Sequence, residues 1–113
     1  MAGSHDDAML MVELAKWGAM SGVPDAARAI FADDFDPGAV DANDPSINTL
    51  LAFNETVATL VKNGLLDADL VKDWLWMAGI WAKVGPAAKR AREKTGASQL
   101  YENFEALAAG QPA

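Results

Sequence analysis

The amino-acid sequence predicts an all-α fold, a compact bundle of five helices. Alanine is abundant and β-branched residues are few, which favours helices over strands. Apolar residues recur every three or four positions in several segments, and no segment alternates polar and apolar residues as a half-buried strand does. The length of 113 residues is typical of one domain. We therefore expect a single domain over 1–113, with a mobile start (1–5), an acidic loop (36–44) and a tail (110–113).

Capping signals set the first two helices. Ser4 and Asp7 have the spacing of a capping box, and apolar positions then follow to a stop near Ser21. Pro24 suits the first position of a second helix, because its missing N–H has no partner there in any case. Apolar spacing predicts that this short helix ends at about Asp34 or Phe35.

The third helix has clear signals at both ends. Asp44 before Pro45 combines an N-cap with a proline at the first helical position. Gly64 suits the left-handed residue that often follows a helix, so the third helix should end at Asn63.

The fourth helix is predicted to be long and kinked. Asp67 is its N-cap, and helical spacing continues over 68–94 until Thr95-Gly96 ends it. Pro86 removes the hydrogen bond to the Ala82 carbonyl and clashes with that carbonyl. We expect a kink at Gly85-Pro86, with two separate helices as the alternative.

The last helix is predicted to begin at Ser98 as its cap and to end at Gly110. The short connections at 21–24 and 63–67 imply that the helices they join lie roughly antiparallel.

Composition excludes several kinds of chemistry. The chain has no cysteine and one histidine, His5, near the amino terminus. Thiol nucleophiles, disulfides, Cys/His metal sites and a histidine-based triad are therefore excluded. The acids over 33–44 lack the spacing of a calcium-binding loop. We predict no metal and no cofactor, and favour a non-enzymatic function over an enzymatic one.

Charge and hydropathy indicate the kind of partner. The formal net charge is -7, the acids concentrate in 1–69, and the end of the chain is mildly basic. This balance argues against nucleic-acid binding, and a mimic of nucleic acid would need the 33–44 acids to form one continuous surface. Asp6 and Asp7 replace the cations of a signal peptide, and no stretch is long enough to span a membrane. We expect a cytoplasmic protein whose partner is a protein.

A series of motifs resembles one family. The series consists of Asn54-Glu55-Thr56-Val57, Val61-Lys62-Asn63-Gly64-Leu65-Leu66-Asp67, Asp73-Trp74, Ile80-Trp81, Arg90 and Leu100-Tyr101-Glu102-Asn103-Phe104-Glu105. Over roughly 47–108 the chain is similar to bacterial and phage-associated helical domains of unknown function. Some members are cytoplasmic parts of proteins with an amino-terminal membrane span, and we expect no such span in this chain. The resemblance implies a helical fold and no known activity.

Three polar residues are candidates for burial: Asn54, Glu55 and Arg90. Asn54 lies within the apolar stripe of the third helix, where an unpaired amide costs about 1–3 kcal/mol. A structural amide is one interpretation, and a small-molecule or enzymatic pocket formed with Glu55 and Trp81 is the alternative. For Glu55, an ion pair with Arg90 or Arg92 across the bundle and a solvent-facing side chain are the favoured alternatives, and a catalytic role is the less favoured one.

Trp76 and Ile80 are the interface candidates, with Lys72 and Lys83 projecting on their side of the fourth helix. Other helices cover both residues in one interpretation. In the other they form an exposed aromatic anchor with a basic rim, as interface hot spots do. The leading hypothesis is a non-enzymatic module for protein association, including homodimerisation through Trp76.

Overall fold

The computed structural model describes residues 4–111, which form six helices and no strand. The helices are α1 (His5–Met20), α2 (Val23–Ile30), α3 (Pro45–Lys62), α4 (Ala68–Trp74), α5 (Met77–Thr95) and α6 (Glu102–Ala109). The all-α prediction is confirmed, and the count of five is wrong because the expected fourth helix is divided into α4 and α5.

Local capping signals gave the right ends for α1 and α3. The Ser4 hydroxyl accepts from the Asp7 N–H at 3.1 Å, and the Asp7 carboxylate accepts from the Ser4 N–H at 2.9 Å. At the start of α3, Asp44 accepts from the Ser46 N–H at 3.1 Å. Gly64 follows the end of α3 with a φ of 73°, which favours glycine.

Two helices are shorter than their apolar spacing predicts. Helix α2 ends at Ile30, and Phe31 is its C-cap, so the expected extension to Asp34 or Phe35 is wrong. Helix α6 begins at Glu102, because Ser98 starts a turn rather than capping a helix. Periodicity misleads here because a turn can place one apolar side chain against the core without continuing the helix.

The division between α4 and α5 lies at Leu75 and Trp76. Leu75 is extended, with φ −124° and ψ 131°. The Gln111 side chain donates to the Leu75 carbonyl at 3.2 Å and accepts from the Ala78 N–H at 3.1 Å. These bonds satisfy backbone groups that the break releases. Helix α5 runs on through Pro86, so the alternative of two helices meeting there is wrong.

Helix α3 is at the centre of the bundle and packs against α2, α5 and α6. The largest fully buried side chains of the core include Ile30, Leu50, Leu51, Met77, Val84 and Phe104. Helix α1 is more peripheral, since Leu14 and Gly18 are its buried residues within the described part of the chain.

Candidate functional site

Two large aromatic side chains lie together on the surface. Phe31 is the C-cap of α2, and Trp76 is the N-cap of α5. Their rings stack with centroids 6.1 Å apart and an interplanar angle of 9°. Phe31 is 44% exposed and Trp76 is 55% exposed. We call this pair the aromatic patch.

A glycine and the helix break hold Trp76 in the aromatic patch. A Cβ at Gly79 would lie 2.3 Å from the Trp76 ring, so the ring lies directly on the first turn of α5. The break before α5 takes Trp76 out of the helix that the apolar spacing of Leu70 and Trp74 predicts. The ring thus rests on α5 beneath it and on Phe31 beside it.

The structure separates the interface candidates that the sequence grouped. Trp76 is exposed, whereas Ile80 is only 8% exposed and belongs to the core. The expectation that Ile80 shares a surface with Trp76 is therefore wrong. Trp76 is the N-cap of α5 and has a non-helical backbone, with φ −87° and ψ 74°, whereas Ile80 lies inside α5 and packs in the core. Lys72 is exposed on α4, and Lys83 is half-buried on α5.

Phe31 is the member of the aromatic patch that sequence reasoning missed. Its spacing from Ile30 and Ala27 placed it on the apolar face of the second helix. Because α2 ends at Ile30, Phe31 leaves that face and meets Trp76 instead. The polar run after it, which begins at Asp33, was the sequence signal for an earlier helix end.

Asn54 is a structural amide of α3. It is 1% exposed, and its Nδ2 donates to the Leu50 carbonyl at 2.8 Å within the same helix. Its Oδ1 has no hydrogen-bond partner among residues 4–111. The observed bond joins the side chain to its own helix.

Glu55 joins α3 to the start of α6. Its Oε1 accepts from the Phe104 N–H at 2.9 Å, and its Oε2 accepts from the Asn103 Nδ2 at 2.9 Å. The N-cap position of α6 is held by Tyr101, whose side chain is not of a capping type. Glu55 therefore caps α6 from a different helix, and a carboxylate there also suits the positive end of the helix dipole.

The two arginines expected to pair with Glu55 bind elsewhere. Arg90 is exposed and donates to the carbonyls of Pro37, at 2.9 Å, and Val40, so it fastens the 36–44 loop to α5. The expectation of a buried Arg90 paired with Glu55 is wrong, since loop carbonyls occupy its guanidinium.

Arg92 closes the connection between α5 and α6. Its Nε donates to the Leu100 carbonyl at 2.8 Å, and its NH1 pairs with Glu105 at 2.8 Å. The guanidinium also lies 5.8 Å from the Trp81 ring centroid, within reach of a cation–π contact. Arg92 therefore holds the turn before α6.

The pocket predicted around Asn54, Glu55 and Trp81 is occupied by structural contacts. The Trp81 ring meets Phe104 edge-on, with centroids 5.0 Å apart. Open grooves of about 600 Å³ between α3 and α6, and of about 470 Å³ between the 41–43 loop and α5, lie elsewhere. None of the three residues lines either groove.

Within residues 4–111, no three histidine, aspartate or glutamate side chains gather where they would hold a metal ion. Over the same range, every helix is too short or too polar to cross a bilayer.

Fold and surface together define a small helical domain with an exposed aromatic patch. The chain belongs to the family described as a domain of unknown function (DUF4760), which matches residues 5–111. This match confirms the predicted membership of an uncharacterised family, and it extends over almost the whole chain. No curated protein and no solved structure matches the chain.

Proposed function

We propose that this domain acts by protein–protein association and that a partner protein covers the aromatic patch. The observation that carries the proposal is the stacked, exposed pair of Phe31 and Trp76. Tryptophan is enriched among the residues that dominate binding energy at interfaces, and aromatic residues are enriched in interfaces generally. Lys72, exposed on the preceding helix, adds a cation to the same part of the chain.

The way Trp76 is held favours binding. Its ring is in contact with Gly79 on one side and stacks on Phe31. A side chain that is already ordered loses less conformational entropy when a partner covers it. The aromatic patch is therefore suited to rigid docking.

The proposal predicts that Trp76→Ala weakens binding of the partner at least about tenfold, as loss of a hot-spot aromatic does. The partner is first recovered from the native host with the tagged chain, then purified, and its affinity is measured by calorimetry. Leu65→Ala is the matched control, because Leu65 is 61% exposed and lies outside the patch. Equal affinity in the two variants would contradict the proposal.

Gly79→Ala tests the same surface without removing the tryptophan. The added methyl group displaces the Trp76 ring, while alanine suits the helix better than glycine by up to about 1 kcal/mol. We expect weaker partner binding in a protein that remains folded.

Homodimerisation through Trp76 is the alternative to this proposal, with a second copy of the chain in place of a different protein. It predicts that Trp76→Ala lowers the mass of the oligomer in light scattering without unfolding the domain. An unchanged mass would remove Trp76 from a dimer interface and leave the patch to a different protein.

The proposed setting is the cytoplasm of a bacterial cell, as the family resemblance implies. A chain without cysteine is compatible with that reducing compartment.

A further inference from the structure

The outward face of α1 carries several exposed apolar side chains where a surface helix normally carries mostly polar residues. Met9, Val12 and Met20 are 53%, 47% and 88% exposed. Exposed alanines accompany them on the same side of the helix: Ala8, Ala15 and Ala19. An unpartnered face of this composition favours burial against another helix.

The inner contacts of α1 fix which face points outward. A Cβ at Gly18 would lie 2.9 Å from the Phe53 ring, so the Phe53 side chain of α3 packs directly against α1 at Gly18. The neighbouring Trp17 ring lies 5.3 Å from the Phe53 ring, centroid to centroid. Together with buried Leu14, these contacts prevent α1 from turning its outward apolar face into the core of its own domain.

Two opposite charges lie on this face, and they indicate what covers it. Glu13 and Lys16 pair at 3.1 Å, and their side chains are 64% and 65% exposed. If a two-fold axis relates two copies and passes between these residues, Glu13 of each copy lies opposite Lys16 of the other copy. The face is thus complementary to itself.

We propose that a second copy of this chain binds antiparallel along the outward face of α1. The same axis places Met9 opposite Met20 of the second copy, so apolar contacts lie on both sides of the central charge pairs. A helix of this length offers a contact about 24 Å long. Because both copies use the same surface, the assembly is complete as a dimer. The aromatic patch lies outside this α1 interface.

The test is a set of charge-reversal variants, measured by light scattering over a concentration series. The unaltered chain should rise from 11.9 kDa at low concentration towards twice that mass. Glu13→Lys or Lys16→Glu alone places like charges opposite one another, and each should weaken the dimer at least about tenfold. An equimolar mixture of the two variants restores opposite charges and should form a one-to-one dimer.

Circular dichroism of each variant shows whether it remains helical, and the mixture is informative only for folded proteins. Val12→Glu should also abolish the dimer, whereas Leu65→Glu, at an exposed apolar residue outside α1, should not. A monomeric parent at every concentration would overturn the inference, as would a mixture that stays monomeric.

Trp76→Ala separates this inference from the proposed function. In the purified chain, this substitution should leave the molar mass measured at each concentration unchanged. It should weaken binding to the partner of the aromatic patch. If Trp76→Ala removes the dimer and Val12→Glu does not, the dimer forms through the patch and the inference about α1 is wrong.

Discussion

Glu55 connects two helices through a single carboxylate. It accepts hydrogen bonds from the Asn103 side chain and the Phe104 N–H, while Thr59 of α3 also donates to it at 3.1 Å. The sequence offered a place in an enzymatic pocket as an alternative for Glu55, and the structure shows it as a helix cap. Its contacts are those of a structural residue.

Replacing Glu55 tests this assignment. Glu55→Ala should lower the free energy of unfolding by about 0.5–2 kcal/mol, the usual range for loss of a cap. Glu55→Gln keeps an acceptor oxygen for the Phe104 N–H and loses only the charge. It should therefore lower the free energy of unfolding less than Glu55→Ala does. Urea denaturation measures both, and a Glu55→Ala variant as stable as the parent would show that the cap is dispensable.

At the scale of elements, the break between α4 and α5 has the largest effect on the surface. It places Trp76 beside Phe31 and releases backbone groups that Gln111 satisfies. A residue expected in a tail therefore takes part in the fold.

Gln111→Ala should loosen the start of α5. Loss of both side-chain bonds is expected to cost about 1 kcal/mol, because each net hydrogen bond contributes modestly. Hydrogen exchange should accelerate at the Ala78 amide, whose N–H loses its acceptor. Unchanged exchange at Ala78 in this variant would contradict the role of Gln111.

The sequence predicted the features that depend on residues close together in the chain. Ser4, Asp44 and Gly64 act within a few residues, so the ends of α1 and α3 follow from local chemistry. Gln111 bonds to the backbone at the break, and Glu55 bonds to the backbone at the start of α6; both side chains are distant in the chain from the groups that they bind. A pattern read along one helix contains no information about such contacts.

The candidate site was predictable in part for the same reason. Trp76 was selected because it lies off the main apolar face of a long helix, and it is exposed. Its contact with Phe31 depends on where α2 ends, and its separation from the buried Ile80 accompanies the non-helical backbone at Trp76, so neither follows from local spacing.

At the scale of the whole molecule, exposed apolar side chains concentrate on two surfaces. One is the aromatic patch, and the other is the outward face of α1. Contiguous apolar surface marks interaction sites more often than single exposed residues do. The net charge of -7 opposes non-specific association of a chain with such surfaces.

The central claim is that another protein covers the aromatic patch in the cell. Hydroxyl-radical footprinting tests it directly by comparing oxidation of Trp76 in intact host cells with oxidation in the purified chain, with Leu65 as the internal reference. The account predicts that Trp76 is protected in cells while Leu65 reacts equally in both settings. Equal oxidation of Trp76 in cells and in the purified chain would contradict it.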